Sequence, residues 1–505
     1  MNKYITEYID YHPVRTQRGL EILSGLIPWF IILFPFVGSF FIPNIIAYAI
    51  IAFNIYWLYR SSQTAINATV GYLNLKATGK IDWVYKLKTD PLTKTKFQKI
   101  INVVMIANVK EPLEILDRNV HSISKQNFPL KNIIVVLAME ERAKEIDEPK
   151  AKKLLRKYKN VFRDIIVTYH PLVGVETIGK HSNNAYAAKY IKNLLVDKLK
   201  TPIKNILMTT CDSDTVWPNQ YFSLLTYKFL TSKKPYNSFF QAPLFMYNNL
   251  HRIPFLVRVP AIMGGIGYLA MLQKASGRVM NYSAYSESLF MLDEVGYWDL
   301  DVIPEDWHIN LKSYFYLHGD LTVTPLWLPI HIDAAESTTR WKTYKNTYEQ
   351  GKRWAWGVVD IPYVVKNFIK HTEIPLSEKL KKLSLALEWH FSWSSAWFLI
   401  TLGATIPTIL NPVFARTTLG YNLPRLSSFI LTLCLIGILV IIVIDILLDP
   451  HKKNKFLALI HPLTYLQWLF LPVFGLLFGS LPGLESQTRL MFGKYLGYRV
   501  TEKKV

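Results

Sequence analysis

Two carboxylates follow an apolar run in the middle of the chain. Asp212 and Asp214 come directly after residues 206–210 in "NILMTTCDSDTVWPNQ". Carboxylate oxygens are hard ligands that suit Mg²⁺ or Mn²⁺, which proteins hold through few carboxylates together with substrate phosphates. An Asp-x-Asp pair also serves as a turn device, so the pair alone leaves both interpretations open. A metal-binding role predicts a diphosphate substrate and further charged groups elsewhere in the chain.

Two later motifs carry such groups. Glu305 and Asp306 begin a helix-like run in "PEDWH", where acidic residues are also favoured by the helix dipole alone. In "QGKRW", the residues Gln350, Arg353 and Trp354 are spaced i, i+3 and i+4, so they share one helix face. Each motif by itself is compatible with an ordinary helix surface.

Two further segments offer polar groups whose roles stay open. Lys180 and Asn184 lie in "GKHSNNA" at a predicted helix start, where they could donate to phosphates or belong to a capped surface helix. His331 and Asp333 lie in "PIHIDAAES" and could approach a metal. A structural role for the histidine is the interpretation we favour.

The elements that must position these residues alternate between strands and helices. Branched apolar runs predict strands at residues 101–107, 133–139, 162–169 and 205–210. The stretches between them have helical character and predict helices at residues 112–126, 141–159 and 181–199. This alternation predicts right-handed βαβ units and a doubly wound, mostly parallel sheet. Ligands bind off the carboxyl ends of such strands, which is where Asp212 and Asp214 fall.

The ends of the chain are apolar enough to cross a membrane. Hydrophobic residues make up 50% of the 505 residues, charged residues only 19%, and the charge deficit is concentrated in a few segments. Five stretches are candidates for spans: 22–41, 44–59, 391–410, 426–448 and 463–481. The prolines of the last stretch leave a re-entrant segment open as the alternative to a span. A cleaved signal peptide fits poorly, since a second apolar stretch follows at once.

The positive charges, which give a net charge of +21, indicate how the chain is oriented in the membrane. Lys and Arg are spread along membrane-flanking loops rather than gathered in one motif, which argues against a nucleic-acid partner and for anionic lipid headgroups. The basic loop at 452–455 predicts that this loop, the N-terminus and the middle domain are cytoplasmic. Three C-terminal spans would place the basic tail outside, against the same rule, so its side stays open. Cys211 and Cys434 imply no disulfide framework.

Residues 374–390 connect the middle domain to the next predicted span. Leu376, Leu380, Leu383 and Leu387 share one helix face, with lysines on the others. This pattern predicts an amphipathic helix at the membrane interface, although a helix packed on a protein core has the same pattern.

The motifs "VMIANVKEPLEIL", "CDSDT", "PEDWH" and "QGKRW", in this order between membrane helices, resemble the family 2 glycosyltransferases. They are most similar to the membrane-embedded branch of cellulose, chitin and hyaluronan synthases. The resemblance covers residues 95–360 by motif. It implies an α/β GT-A-like cytosolic domain inserted between α-helical transmembrane segments. The expected division is a cytosolic segment at 1–21, two transmembrane helices within 22–60, the GT-A domain at 61–373, the interfacial helix at 374–390, about three transmembrane or re-entrant helices at 391–482, and a basic tail at 483–505.

The resemblance also implies a role for each motif residue. Asp306 would be the general base, and Asp212 and Asp214 would hold the nucleotide diphosphate and its Mg²⁺ or Mn²⁺. The remaining nucleotide-sugar-binding residues would be Glu111, Glu140, Lys180, Gln350, Arg353 and Trp354, with Arg353 at the diphosphate and Trp354 near the acceptor. Three departures stand out: Lys110 replaces an Asn, Pro304 replaces a Thr, and "LAMEERA" with Glu140 and Glu141 replaces an acidic turn that contacts the base.

The chemistry explains why such residues belong together. Displacing a nucleoside diphosphate from an anomeric carbon needs a metal and cations for the leaving group. It needs one carboxylate to accept the proton of the incoming hydroxyl, and a single base fits inversion. We therefore predict a multi-pass enzyme of the plasma (inner) membrane, acting on a nucleotide sugar, with a UDP-sugar favoured.

The acceptor is left open by the sequence. A growing envelope polysaccharide is the leading expectation, with export or accessory subunits as possible partners. Transfer of one sugar to a lipid, such as a polyprenyl phosphate or diacylglycerol, is the alternative enzyme. A membrane scaffold or export component that keeps the fold without catalysis is the alternative outside enzymes.

Overall fold

The computed structural model describes residues 2–174, 176–274 and 278–497. The strands in this part of the chain are β1 (Ile101–Asn108), β2 (Ile133–Glu140), β3 (Asp164–His170), β4 (Ile206–Asp212), β5 (Ser238–Gln241), β6 (Leu244–Phe245), β7 (Tyr285–Ser288), β8 (Thr322–Pro325) and β9 (Ile330–His331).

The α-helices follow in chain order. They are α1 (Asn2–Tyr11), α2 (Pro13–Phe41), α3 (Pro43–Gly79), α4 (Trp83–Thr89), α5 (Leu113–Ser124), α6 (Lys144–Lys157), α7 (Lys180–Lys192), α8 (Tyr221–Thr231), α9 (Phe255–Met271), α10 (Leu289–Glu294), α11 (Glu305–Tyr316), α12 (Arg340–Ala355), α13 (Asp360–Lys370), α14 (Leu376–Leu402), α15 (Ile406–Leu410), α16 (Pro412–Ala415), α17 (Thr418–Leu448), α18 (Lys455–Ile460), α19 (Pro462–Leu466), α20 (Leu471–Phe474) and α21 (Leu481–Met491).

Seven strands form one mixed sheet in the order β3-β2-β1-β4-β7-β5-β8. The first four are parallel, β7 is antiparallel to both its neighbours, and β8 is parallel to β5. The chain winds outward from β1 through β2 to β3 and then returns to β4 on the other side of β1. The gap between β1 and β4 is therefore a switch point, where doubly wound sheets bind ligands. The predicted α/β, mostly parallel sheet is confirmed.

Both faces of the sheet are buried, which explains the continuous apolar runs. Along β1, Val104 and Ile106 belong to one core cluster, and Val103 and Met105 belong to the cluster on the opposite face. Side chains of a strand alternate between faces, so a strand covered on both sides needs apolar residues throughout. The helices α5 and α6 pack on the first face and α7 on the second.

Three helical segments in the described residues are long and apolar enough to cross a membrane: Pro13–Phe41, Thr418–Leu448 and Thr464–Met491. They match three of the five predicted spans, two of them completely and the span 463–481 to within one residue. The other two predicted spans, 44–59 and 391–410, do not meet the same length and hydropathy. The first lies in α3, where Asn44, Asn54 and several tyrosines lower the hydropathy, and the second is interrupted after Leu402.

The predicted boundaries fall inside helices. Helix α3 continues from the predicted span to Gly79, because residues 60–78 contain no proline and their one glycine, Gly71, packs closely against Leu269. Helix α14 joins the predicted interfacial segment to the start of the next predicted span. The predicted tail begins inside α21, and its residues 498–505 lie outside the described residues.

Helix α21 is tied to the N-terminal helix α2. Arg18 donates through Nη1 to the Leu490 carbonyl at 2.7 Å, and Trp29 donates through Nε1 to Thr488 Oγ1 at 2.9 Å. The residues after 483 are therefore an integrated helix up to Met491 rather than a free tail.

The predicted leucine face of α14 is divided between the surface and the core. Leu376 and Leu380 are exposed, whereas Leu383 and Leu387 are partly buried and pack against core clusters. Lys379 is buried, and its Nζ donates to the carbonyls of Phe368 and His371 at 2.8 and 2.9 Å. Only the first turns of α14 therefore present leucines outward, as an interfacial helix does.

Candidate functional site

The predicted site residues come together at the carboxyl edge of the sheet. Glu140 ends β2 and Asp212 ends β4, with β1 between these two strands, and Ala107 of β1 lies opposite Asp212. One cavity of about 210 Å³, which we call the edge cavity, lies against this edge. Every predicted site residue lines it: Glu111, Glu140, Lys180, Asp212, Asp214, Asp306, Gln350, Arg353 and Trp354.

Lys180 places a buried ammonium group among the acids. Its Nζ lies 3.0 Å from Asp212 Oδ1 and 3.4 Å from Glu305 Oε1, and it donates to the Ser283 carbonyl at 2.7 Å. Burial alone would lower the pKa of Lys180, but the carboxylates of Asp212 and Glu305 outweigh burial and raise it. The lysine therefore stays charged at neutral pH.

The Asp-x-Asp turn is held by backbone and side-chain contacts. Asn119 donates through Nδ2 to the carbonyls of Asp212 and Ser213 at 3.1 and 3.3 Å. Asp214 is buried, and its Oδ2 accepts from the Asp333 amide at 3.0 Å. Asp333 in turn pairs with Arg118 at 2.6 Å. The turn is thus fixed before any ligand binds.

The oxygen donors of this turn suit a divalent metal. Asp212 ends a strand with its side chain 37% exposed at the cavity, and Asp214 follows two residues later. Carboxylates shared with substrate phosphates are what Mg²⁺ and Mn²⁺ require, so the residues present fit such an ion. A separate group of metal-ligating types, His318, His371 and Glu373, lies at the surface and does not line the edge cavity.

Asp306 lies in the first turn of α11 and is oriented by three hydrogen bonds. Its Oδ2 accepts from the Ser283 amide at 3.0 Å, its Oδ1 from the Trp307 amide at 2.9 Å, and its carbonyl from Asn281 Nδ2 at 2.8 Å. Burial, and then the neighbouring charge of Glu305, raise the pKa of Asp306 to about 6. A carboxylate with this pKa is mostly ionised at pH 7 and still basic enough to accept a proton.

Helix α12 contributes the opposite wall. Gln350, Arg353 and Trp354 all line the edge cavity, as their shared helix face predicts. The Trp354 side chain is 39% exposed, which leaves its ring available to a ligand.

Three lining residues of α14 were not found from the sequence: Trp389, His390 and Trp393. Glu305, which the sequence indicated only as a charged neighbour of Asp306, pairs with Lys180. The His390 ring is buried with no hydrogen-bond partner on either nitrogen, and burial lowers its pKa to about 3, so it is neutral. The aromatic cluster "WHFSW" was the available signal, but only the folded chain shows that α14 reaches the cavity.

Three residues considered from the sequence do not line the edge cavity. Asn184 donates through Nδ2 to Thr210 Oγ1 at 2.7 Å in the interior rather than toward the cavity. Glu141 is exposed and pairs with Lys144 at 3.0 Å. His331 packs against Tyr247, and burial lowers its pKa to about 4, which agrees with a structural histidine.

A second, larger cavity adjoins the first. It has a volume of about 980 Å³, lies between α3, α9, α14 and α17, and we call it the helix cavity. The two cavities share one wall, formed by Met246, Tyr268, Met271, Ala334, Ala335, Gln350, Trp354, Trp389 and Trp393.

No family model and no curated protein matches this chain. Among solved structures it is similar to mannosyltransferase PcManGT from Pyrobaculum calidifontis in complex with GDP-Man and Mn²⁺, with a TM-score of 0.40 at 13% identity, over 77% of this chain and 99% of that one. It is also similar to S. aureus TarS 1-349 in complex with UDP-GlcNAc, with a TM-score of 0.37 at 13% identity, over 79% and 93% of the two chains. GalNAc-T7 with UDP, GalNAc and Mn²⁺ has a TM-score of 0.32 at 12% identity, over 59% and 57%. These likenesses are distant.

Proposed function

We propose that this chain is a membrane-bound, inverting glycosyltransferase that moves a sugar from a nucleotide sugar to an acceptor hydroxyl. One observation supports this most directly: the acidic pair Asp212 and Asp214, the ammonium of Lys180 and the carboxylate of Asp306 line one cavity at the switch point of the sheet. Displacing a nucleoside diphosphate requires this combination of charges.

The donor would lie along the carboxyl edge of the sheet. Glu111 follows β1 and Glu140 ends β2, and both would face the nucleoside, while Lys180 and Arg353 would face the diphosphate. Asp212 and Asp214 would hold Mg²⁺ or Mn²⁺, which when bound supplies positive charge for the leaving diphosphate. A UDP-sugar remains the donor that we favour.

Asp306 would carry the proton transfer. The acceptor oxygen forms a bond to the anomeric carbon, the bond from that carbon to the diphosphate oxygen breaks, and the hydroxyl proton moves to Asp306. Its raised pKa, about 6, suits it to this step near neutral pH. One base acting on the face opposite the leaving group gives inversion.

The order of the motifs resembles that of the membrane-embedded synthase branch of family 2. In keeping with that resemblance, we propose a multi-pass protein of the plasma (inner) membrane whose α/β domain faces the cytoplasm. The apolar helices α2 and α17 and the exposed Leu376 and Leu380 of α14 support membrane attachment. The product would be an envelope glycan, free or lipid-linked.

Nucleotide binding separates this enzyme from an inactive scaffold. The detergent-purified full chain should bind UDP or GDP more tightly with Mn²⁺ than with EDTA, as measured by isothermal titration calorimetry. Asp214→Ala should weaken Mn²⁺-dependent binding about tenfold or more, because it removes an anionic oxygen donor. The matched control Glu141→Ala removes an exposed acid outside the cavity and should bind like the wild type. A wild type that binds neither nucleotide would favour the scaffold.

A further inference from the structure

The helix cavity reaches deep among the apolar helices. On α17, Leu431, Leu435, Ile438 and Ile441 line it, and their spacing of three or four residues puts them on one face. Helix α17 is one of the segments long enough to span a membrane, and these residues lie in its middle. These four side chains form an aliphatic stripe along one wall of the cavity, beside the Cys434 thiol, and Leu435 is 53% exposed.

The wall opposite this stripe is built from small residues of α9. Gly264 and Gly267 both line the cavity, and a Cβ added to either would meet no atom within 4 Å. Ala261 and Ala270 continue the same wall. The space in front of α9 is thus open, as a slot for a hydrocarbon chain requires.

Two basic side chains line another part of the cavity. Arg60 and Lys274 line it, and Glu388 is the one acid among its described lining residues. Glu388 already pairs with Arg60 at 2.7 Å and accepts from Tyr56 Oη at 2.7 Å. Burial and the nearby charges of Arg60 and Arg278 lower the pKa of Lys274. Cations thus outnumber acids beside an apolar space, which is unfavourable until an anion binds.

We propose that the helix cavity binds a phosphate-bearing lipid that presents the acceptor hydroxyl. Its hydrocarbon chain would lie along the aliphatic stripe of α17, and its phosphate would lie against Arg60 and Lys274. Its hydroxyl-bearing end would pass Trp354 and Trp389 into the edge cavity. The acceptor role rests on the proposed glycosyltransferase function, whereas the lipid site itself does not.

A neutral glycan fits this cavity less well. Sugar hydroxyls need hydrogen-bond partners, and the aliphatic side chains of the α17 stripe offer none, although Gln63, Thr64 and Asn67 line the α3 side of the cavity. A neutral occupant would leave the two cations Arg60 and Lys274 in excess over Glu388, the one acid among the described lining residues. Tryptophans line both the shared wall and the rest of the helix cavity, so the excess positive charge and the aliphatic stripe are what favour a lipid phosphate over a glycan.

The sugar transfer to this lipid would make and break the same bonds as the proposed reaction. The headgroup hydroxyl bonds to the anomeric carbon, its proton moves to Asp306, and the nucleoside diphosphate leaves. The lipid phosphate keeps all its bonds, so the product is the same lipid with one more sugar. A membrane reaction that consumes a lipid-linked saccharide must come next.

Lipid retention by the purified full chain tests the proposal. Native mass spectrometry from detergent would compare undecaprenyl phosphate with undecaprenol, inorganic phosphate and neutral cellohexaose. We expect strong retention of undecaprenyl phosphate only. Gly264→Leu should abolish it by filling the slot, whereas Gly19→Leu, also at a helical glycine with open space around it, should retain it.

A second variant tests the headgroup site. Lys274→Gln should lower retention of undecaprenyl phosphate about tenfold and leave the weak retention of undecaprenol unchanged, whereas the exposed Lys233→Gln should change neither. Equal retention of the alcohol and the phosphate, retention insensitive to Gly264→Leu, or preferred retention of cellohexaose would overturn the proposal.

The lipid assay contains no nucleotide, so it fails or succeeds independently of the proposed function. Nucleotide binding measured on the same preparation shows whether the α/β domain is intact in each variant. A chain that binds UDP with Mn²⁺ but retains no lipid phosphate would overturn the lipid site alone. A chain that retains the lipid but binds no nucleotide would support the site and count against the glycosyltransferase.

Discussion

Replacing His308 should loosen the helix that carries Asp306. His308 is buried two residues after Asp306, with Nδ1 at 2.6 Å from Asp360 and Nε2 at 2.9 Å from Asp299. Burial alone would lower its pKa, but the two carboxylates raise it from 6.5 to about 9. The protonated imidazole therefore ties α11 to α13.

The size of the effect follows from this pKa. A rise from 6.5 to about 9 corresponds to about 3 kcal/mol of free energy of unfolding, reduced by the cost of burying Asp360, whose own pKa burial raises. Breaking a buried ion pair costs a similar amount, about 3–5 kcal/mol. The folded-state pKa of His308 is the higher one, so this contribution is complete below pH 6.5 and is lost as pH rises through about 9.

Thermal unfolding in detergent would measure this contribution. The melting temperature of His308→Gln should be several degrees below that of the wild type at pH 6.5, and the gap should narrow by pH 9.5. The exposed His121→Gln should match the wild type throughout. A gap of the same size at both pH values would refute a charged His308, and no gap at all would refute its structural role.

Other perturbations bear on the site itself. If Asp306 is the base, kcat/KM should fall along an acid limb near pH 6, to about a tenth of its plateau at pH 5; a flat profile from pH 5 to 7 would contradict this. Lys180→Gln removes a charge that lowers the pKa of Asp306, so the limb should move to higher pH, while Lys189→Gln on the exposed side of the same helix should leave it in place. Trp354→Ala should raise the acceptor KM much more than the donor KM, and equal increases would argue against acceptor contact. Lys110 has a left-handed φ of 59°, a conformation that asparagine adopts more readily than lysine. Lys110→Asn should therefore raise the free energy of unfolding by up to about 1 kcal/mol, seen as a higher melting temperature. A lower melting temperature would show that the lysine side chain stabilises the fold by more than its backbone conformation costs.

The first four strands were predictable because each is buried on both faces. A continuous apolar run bounded by polar residues is then the only sequence that fits, and β1, β2, β3 and β4 begin and end within two residues of the predicted limits. Strands β5, β7 and β8 were missed. Each has four residues, and β7 reads "YSES" with a buried Glu287, so it shows no apolar run.

The site was partly predictable for a similar reason. Motif residues at the carboxyl ends of neighbouring parallel strands must lie at the same edge of the sheet. There they line one cavity together with the motif residues on one face of α12. His390, Trp389 and Ser283 reach that cavity through long-range packing of α14 and through a loop in which Ser283 has a φ of 50°. Neither feature has a local pattern. Helices α3 and α14 extend past the predicted limits of spans and segments, because a drop in hydropathy does not end a helix.

Turnover of a nucleotide sugar tests the proposed enzyme most directly. Release of nucleoside diphosphate by the purified chain, from a panel of UDP- and GDP-sugars with Mg²⁺ or Mn²⁺, would be measured beside Asp306→Asn and the exposed control Asp301→Asn. We predict release from one donor, lowered about a hundredfold or more in Asp306→Asn and unchanged in Asp301→Asn. Equal release by the wild type and Asp306→Asn would contradict the assignment of the base, and a wild type that neither binds nor turns over any donor would contradict the enzyme.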